Sequence, residues 1–279
     1  MDSPSKSWLS WRMAQILPIR PAATILTLRD GSDGAEVLML RRNLRSDFVG
    51  GAYVFPGGGV DDDDGRLEGL GLTVGLDDVM ASNRLNLESG GLVFYVAALR
   101  ELFEEAGLLI TCDARGEATM FDVERRERLV HQRAQLNAGT IDFASILRDE
   151  GLQLDLRGVD YLAHWVTPVG PPRRFDTRFF VVKAPPNQVA AHDAGETVAD
   201  RWLRPTDALD AHRLGEFEMI FPTVRNLEAI RHLHTVDDIL NYARVQVTVP
   251  RVEPRIVQRD GQGVILIEGD EGFAQAGDS

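Results

Sequence analysis

The 279-residue sequence predicts a single α/β domain that is built on a mixed sheet and carries helical additions. Short β-branched and apolar runs alternate with longer amphipathic segments along the chain. The apolar content of 44% is enough for a sizeable core, and neither an internal repeat nor a low-complexity linker divides the chain. We therefore expect an N-terminal extension at 1–20, one domain over 21–267 and a disordered tail at 268–279.

The N-terminal part of the domain is predicted to begin with a hairpin. Residues 22–28 form an apolar, β-branched run, turn residues follow at 30–34, and residues 36–40 return as a second strand. A short strand at 53–55 leads into a predicted turn at three glycines, 57–59, where missing side chains let another group approach the backbone. A polar, Gly-rich insertion follows at about 66–91, with one short helix near 77–85.

The rest of the chain continues the alternation of helices and strands. Residues 91–106 predict a largely buried helix that ends at Gly107, since glycine commonly follows a helix C-terminus. A helical insertion at about 113–152 is interpreted as mostly solvated, with a lid over the site as the lesser alternative. The remaining predicted strands are 159–166, 177–182 and 198–203. A helix is predicted at 205–213, amphipathic segments follow at 221–233 and 236–243, and a last apolar run stands at 264–267.

The acidic cluster on the helix at 91–106 is the most informative feature for function. Glu101, Glu104 and Glu105 are spaced i, i+3 and i+4, so they share one helix face. Their mutual repulsion raises the pKa of at least one carboxyl unless a cation neutralises the group. Arg100 offsets part of this repulsion, and Mg²⁺, which prefers carboxylate oxygens and carries phosphates, offsets more. A solvated helix face is the alternative. Surface acids usually alternate with Lys or Arg, whereas the residues that follow this cluster are apolar.

Two separated segments together resemble the Nudix signature. The second half of the signature is matched throughout by residues 100–108, Arg-Glu-Leu-Phe-Glu-Glu-Ala-Gly-Leu, and its first glycine is matched by Gly58 in Phe-Pro-Gly-Gly. Asp64 stands at the position of a glutamate, and Arg100 follows 36 residues later, so the insertion at 66–91 splits the motif. The split motif is similar to that of the long coenzyme A and acyl-coenzyme A diphosphatase branch of the Nudix superfamily.

This resemblance implies a Nudix-type α/β/α sandwich with a mixed sheet plus helical insertions. It also implies a hydrolase of a nucleoside diphosphate-linked compound that depends on Mg²⁺ or Mn²⁺, with coenzyme A or acyl-coenzyme A as the first substrate candidate. ADP-ribose and dinucleotides are rival substrates, and a Nudix-fold nucleotide sensor without catalysis is the alternative from another class. The implied metal ligands are Glu101, Glu104, Glu105 and the backbone of Gly58, with Gly57 close to the substrate and Arg100 orienting the glutamates.

Five further positions are candidates for the site. Glu196 is the candidate general base, with an exposed loop acid as the alternative. The substrate-binding candidates share a guanidinium group, which binds phosphate bidentately, although pairing with carboxylates of this acidic chain is the alternative. They are Arg45, Arg173, Arg174 and Arg178.

Composition restricts the partners. The net charge of −13 argues against a nucleic-acid polymer or an anionic membrane surface, and no apolar stretch approaches the ~20 residues that cross a bilayer. The single cysteine, Cys112, excludes an internal disulfide, and the N-terminus lacks a secretory pattern. We expect a cytoplasmic protein that acts on a small-molecule nucleotide diphosphate, with a homodimer as the candidate assembly.

Overall fold

The structure, a computed structural model, describes residues 18–44, 50–193, 195–259 and 262–276. Most of the predicted N-terminal extension and all of Arg45 lie outside these residues. The strands are β1 (Ile19–Gly31), β2 (Gly34–Arg42), β3 (Tyr53–Val54), β4 (Gly57–Gly59), β5 (Thr73–Val74), β6 (Thr111–Cys112), β7 (Gln153–Asp155), β8 (Asp160–Val166), β9 (Arg174–Lys183), β10 (Thr197–Leu203), β11 (Arg251–Val252), β12 (Arg255–Arg259) and β13 (Gln262–Leu266). The helices are α1 (Arg66–Gly69), α2 (Asp78–Leu85), α3 (Leu92–Ala106), α4 (Val123–Asn137), α5 (Phe143–Asp149), α6 (Pro205–Arg213), α7 (Phe221–Ile230) and α8 (Val236–Arg244).

A mixed sheet forms the centre of the molecule, in the strand order β10-β2-β1-β9-β8-β11. β3 pairs with β2, and β4 pairs with the first half of β1. The β1–β9 and β8–β11 pairs are parallel and the other pairs of this sheet are antiparallel. The predicted mixed-sheet α/β class is therefore confirmed.

Helices cover both faces of the central sheet. On one face, Tyr95 and Phe103 of α3 are fully buried in the same cluster as Phe180 of β9. On the other face, α6, α7 and α8 bury a separate cluster that includes Leu227 and Ile239. This arrangement is the expected α/β/α sandwich, and it places α3 directly over β1, β4 and β9.

The two insertions fold together beside α3. β5 from the first insertion pairs with β7, and β7 pairs with β6, so that a small three-stranded sheet joins the segments on either side of α3. Leu67, Leu85 and Leu154 are buried in the same core cluster as α3. The polar insertion at 66–91 is thus more than the loop with one helix that we expected, because most of its leucines face the core, although Leu70 is exposed. Strands of two or three residues give too short a pattern to be predicted.

Of the two helices in the insertion at 113–152, one is mostly exposed and the other has a buried face, whereas we expected most of the insertion to be solvated. In α4, Leu129 is the one buried residue. In α5, Phe143, Ile146 and Leu147 are buried. The expectation was therefore correct for α4 and wrong for α5, whose short apolar face packs against the core.

Two further expectations need correction. The glycines at 57–59 form a strand, β4, rather than a turn, since they pair with β1 so closely that a Cβ at Gly57 would lie 2.6 Å from the carbonyl oxygen of Ala23. The tail expected to be disordered at 268–279 is ordered as far as it is described. There the carbonyl of Phe273 accepts a hydrogen bond from Arg255, whose guanidinium lies 4.4 Å from the Phe273 ring centroid. Residues 277–279 lie outside the described part.

Within the described ranges, none of the helices combines the length and the apolar character that crossing a membrane would demand.

We expect Glu150 to stabilise the two insertion helices in a pH-dependent way. Its side chain is almost fully buried and accepts bonds from Arg128 and Arg125 of α4. The bond from Arg128 holds the pKa of Glu150 below its usual value, although burial opposes this. Because the folded-state pKa is the lower one, the stabilisation is present above the unfolded value of about 4.3 and is lost as the pH falls through the folded value.

Glu150→Gln should therefore lower the free energy of unfolding by about 1–3 kcal/mol at pH 7, with the difference from the parent shrinking as the pH falls below the unfolded value of about 4.3. Urea unfolding across this pH range measures the effect. Glu117→Gln is the control, since Glu117 belongs to an exposed pair with Arg115 and should cost less than about 1 kcal/mol. A difference that persists unchanged at low pH would contradict the assignment.

Candidate active site

The acidic face of α3 looks toward β4. Residues of high helix propensity, mostly Leu, Ala and Glu, fill α3 without an internal Gly or Pro. Gly107 ends the helix at a φ of 69°, a conformation that favours glycine. The helix is otherwise buried, and Glu101 and Glu104 lie at its partly exposed edge while Glu105 is buried.

The two halves of the split motif meet in space. The backbone N–H of Gly57 donates to Oε2 of Glu105 at 3.0 Å, and Nη2 of Arg100 donates to the carbonyl of Gly59 at 2.8 Å. Between them, a Cβ at Gly58 would lie 2.6 Å from Cδ of Glu101. Only glycine therefore lets this strand approach the carboxylates. The two halves of the motif are in contact even though the insertion separates them in the sequence.

Arg100 is the centre of the hydrogen-bond network. Its Nε and Nη2 donate to Oδ1 and Oδ2 of Asp64 at 2.8 and 3.0 Å, which is a bidentate pair. Its Nη1 donates to Oε1 of Glu101 at 2.9 Å and to Oε1 of Glu104 at 3.2 Å. Arg100 and Asp64 are 5% and 3% exposed. The guanidinium thus fixes the directions in which the two glutamates point.

Asp64, which replaces the glutamate of the signature, has a structural role in this geometry. Beyond its bond to Arg100, its Oδ2 accepts the N–H of Asp61 at 2.8 Å and so closes the short 3-10 turn at Asp62–Gly65. Burial raises the pKa of Asp64, and the bonds from Arg100 oppose that rise. Both carboxylate oxygens are occupied by these internal partners.

The carboxylates of α3 carry unfavourable charge in the absence of a further cation. Burial raises the pKa of Glu101 to about 7, with Arg100 opposing the shift. Burial also raises the pKa of Glu104. The pKa of Glu105 is raised well above its usual value by burial and, in addition, by repulsion from Glu101 and Glu196. A bound cation would stabilise the ionised forms of all three.

The donor chemistry fits a hard divalent ion, although the side chains are not arranged as a formed metal centre. Among the described residues, no group of three or more His, Cys, Asp or Glu side chains has such an arrangement. The reason is visible in the contacts, since Arg100 engages Glu101 and Glu104 while Glu105 bonds to the backbone of Gly57. The same side chains supply only carboxylate oxygens, the ligands that Mg²⁺ and Mn²⁺ prefer.

Glu196 lies near the acidic face of α3. Its charge contributes to the raised pKa values of Glu101 and Glu105, and its side chain is 53% exposed. Oε1 of Glu196 accepts a bond from Nη2 of Arg42 at 2.6 Å. The register of β10 on β2, in which Thr197 lies opposite Arg42, brings the pair together.

Two of the three arginines at 173–178 are paired inside the protein. Arg174 pairs with Glu253 at 2.5 Å, and Arg178 pairs with Asp176 at 2.9 Å while lying 4.1 Å from the ring centroid of Phe94. Arg174 and Arg178 are each 5% exposed. These contacts favour the alternative of internal ion pairs for Arg174 and Arg178, whose phosphate contact stays a prediction; Arg173 is exposed.

The fold brings two further arginines to the site, of which only Arg133 has no signal in the sequence. Arg42 belongs to the basic run Arg41, Arg42 and Arg45 that precedes Phe-Pro-Gly-Gly, and its pairing with Glu196 depends on strand register. Arg133 of α4 donates from Nε to the carbonyl of Glu104 at 2.9 Å. In the sequence, Arg133 is only one more basic residue on a charged helix, and such a pattern does not indicate a functional role.

Comparison with known proteins identifies relatives of this chain. Residues 76–230, more than half of the chain, match the family model described as the NUDT19 Nudix domain. Acyl-coenzyme A diphosphatase NUDT19 of Xenopus laevis is 24% identical over 91% of this chain and 75% of its own length. The human protein of that name is 24% identical over 88% and 74%, and the Gallus gallus protein is 27% identical over 75% and 64%.

A solved structure shows the same architecture. The crystal structure of a NUDIX hydrolase from Alicyclobacillus acidocaldarius superposes with a TM-score of 0.64 at 27% identity, covering 83% of this chain and 99% of the other.

Replacement of Arg100 should damage the site by leaving part of the buried Asp64 carboxylate without its partner. Arg100→Lys keeps the charge but cannot form the bidentate bond, so we expect a loss of about 1–3 kcal/mol in the free energy of unfolding. Chemical denaturation measures this loss. Arg66→Lys is the matched control, because Arg66 pairs with Asp63 at the surface and should lose less than about 1 kcal/mol. Equal stability of the two variants would sink the assignment of Arg100 as the centre of the network.

Proposed function

The chain belongs to the NUDT19 Nudix domain family, and from this premise we propose that it hydrolyses the diphosphate bond of coenzyme A or of its acyl esters. The observation that carries the proposal is the meeting of the acidic face of α3 with the glycines of β4 across a long insertion. The relatives from frog, chicken and human that are named acyl-coenzyme A diphosphatases support the choice of substrate. ADP-ribose and dinucleotides remain the rival substrates.

Mg²⁺ or Mn²⁺ is the proposed cofactor, held by carboxylates on the face of α3 and the backbone beside them. The chemistry that such an ion supplies when bound is neutralisation of negative charge on the phosphate oxygens and activation of water as a nucleophile. The residues that would hold it are Glu101, Glu104, Glu105 and the backbone of Gly58.

The chain's own residues prepare the reaction by orientation. Arg100, which is bonded to the buried Asp64, donates to Glu101 and Glu104 and so orients both carboxylates. The N–H of Gly57 donates to Glu105 and orients it in the same way. Fixed carboxylates need no reorganisation when charge develops in the transition state. Arg100 therefore acts on the glutamates rather than on the substrate.

Hydrolysis also needs a group that accepts a proton. The oxygen of water attacks one phosphorus, the bond from that phosphorus to the bridging oxygen breaks, and the leaving phosphate keeps the electron pair. The proton of the attacking water passes to a carboxylate. Glu196 is our candidate, with a glutamate of α3 as the alternative, because its side chain is half exposed and its charge acts on Glu101 and Glu105.

The substrate's phosphates still need positive partners. Gly57 offers close approach to the backbone, and Arg173 and Arg45 remain proposed phosphate contacts. Arg42, which lies in the same basic run as Arg45 and pairs with the exposed Glu196, is a further candidate. A guanidinium that contacts phosphate equally in ground and transition states would act on KM more than on kcat.

Glu104→Gln and Glu105→Gln should each lower kcat by at least about 100-fold at saturating Mg²⁺, because each removes one charge from the preorganised site while keeping its size. Initial rates with coenzyme A measure the effect. Glu216→Gln, a change at an exposed acid on the connection after α6, is the control and should keep the parent rate. Near-parent rates in both site variants would refute the ligand assignment.

The substrate is tested with a panel of coenzyme A, acyl-coenzyme A esters, ADP-ribose and dinucleotides, each with Mg²⁺, with Mn²⁺ and with EDTA. Products are identified by mass. Metal-dependent release of 3′,5′-ADP from coenzyme A supports the proposal. Turnover restricted to ADP-ribose or dinucleotides would favour the rival substrates, and binding without turnover of any compound would favour the sensor.

A further inference from the structure

Arg133 on α4 joins two parts of the site that are far apart in sequence. Its Nε donates to the carbonyl of Glu104 at 2.9 Å, and its Nη1 donates to the carbonyl of Ala191 at 2.8 Å. One guanidinium thus contacts the end of α3 and the segment that leads to Glu196. Arg133 lies outside the Nudix signature, in the helical insertion.

The contact to α3 falls where a helix needs a donor. The last four carbonyls of an α-helix lack partners within the helix, and positive charge is favourable there. Glu104 lies in this last turn, and Nδ2 of Asn137 donates to the same carbonyl at 3.2 Å. Arg133 and Asn137 together therefore anchor the helix end that carries Glu104 and Glu105.

The contact to Ala191 continues toward Glu196 through a chain of short bonds. The N–H of Ala191 donates to the carbonyl of Ala106, at 2.9 Å, so the segment is bonded to α3 directly as well as through Arg133. Two residues later, the carboxylate of Asp193 accepts the N–H groups of Glu196 and Thr197 at 2.9 and 2.8 Å. The charge of Asp193 also attracts Arg133.

Arg133 occupies an environment that is costly for a cation. Burial lowers its pKa, partly offset by Asp193 and by the two glutamates at the end of α3, and its Nη2 is buried without a hydrogen-bond partner. An apolar residue could fill this space without the desolvation cost of a charge. The guanidinium bonds two carbonyls at once, those of Glu104 and Ala191, and we call this pair of bonds the fork. An apolar residue or a lysine lacks the geometry to form it.

We propose that Arg133 is a positioning residue that holds Glu196 in register with the glutamates of α3. The inference rests on the proposed function, because it assigns Glu196 the proton-accepting role in that reaction. Loss of the fork should let the 191–196 segment move relative to α3. A displacement of about 1 Å between reacting groups is enough to lower a rate about 100-fold.

The test uses Arg133→Lys, with Arg133→Gln as a second variant should the first fail to fold. Arg126→Lys is the matched control, because Arg126 also lies on α4 and donates to a backbone carbonyl of the connection between β9 and β10, that of Asn187, without a bond to α3 among those described. Melting temperature establishes that each variant is folded. Kinetics with coenzyme A and hydrogen exchange of the 191–197 amides are then measured on the full chain.

We expect Arg133→Lys to lower kcat by at least about 10-fold with KM changed less than about threefold, and to speed exchange of the Glu196 and Thr197 amides. Arg126→Lys should leave kcat and these amides unchanged. Because the role runs through Glu196, adding Arg133→Lys to Glu196→Gln should lower kcat by less than about threefold more.

Three results would overturn the inference. They are a stability loss in Arg133→Lys without a change in kcat, full additivity with Glu196→Gln, and a Glu196→Gln variant that keeps the parent rate. In each case the parent protein would still release 3′,5′-ADP from coenzyme A, so the proposed function would stand. A parent protein that cleaves no compound of the panel would instead refute the proposed function, and the amide exchange would then show only whether the fork orders the segment.

Discussion

The buried ion pair between Arg100 and Asp64 is the constraint on which the site depends. Both side chains are buried, and a buried ion pair is stable only when nearly all its donors and acceptors are hydrogen-bonded. Here the guanidinium reaches both oxygens of Asp64, the carbonyl of Gly59 and the carboxylates of Glu101 and Glu104. One side chain therefore ties the β4 strand, the turn after it and the active face of α3 into one unit.

The same arrangement leaves the site short of positive charge. Arg100 can bond only one oxygen of each of its two glutamates, and Glu105 has a backbone N–H instead of a cation. Burial is the main cause of the raised pKa values of all three carboxyls, and the neighbouring positive charge does not offset it. A site that is unfavourable for its own ionised side chains is well suited to a divalent cation and the phosphates it carries, which is the balance that a Nudix hydrolase requires.

The insertions serve the site as well as the fold. The first insertion leaves after Asp64 and returns at α3, and its strand β5 joins β7 and β6 in a small sheet beside that helix. The second insertion supplies α4, whose Arg133 and Asn137 reach the carbonyl of Glu104. Parts of the chain outside the signature thereby support both ends of the helix that carries it.

Local pattern was sufficient for the long elements and for the acidic face. The sequence by itself determined α6 at 205–213, the capping box of Thr235 and Asp238 that opens α8, and the shared face of Glu101, Glu104 and Glu105, because each depends on residues within one or two turns. Only the tertiary structure decided which charges meet. Arg174 and Arg178 pair internally, whereas Arg42 and Arg133 reach the site, since strand register and helix packing bring together residues far apart in the chain. Guanidinium groups carry the same charge in every sequence context, so their partners are set by these long-range contacts and cannot be read from spacing.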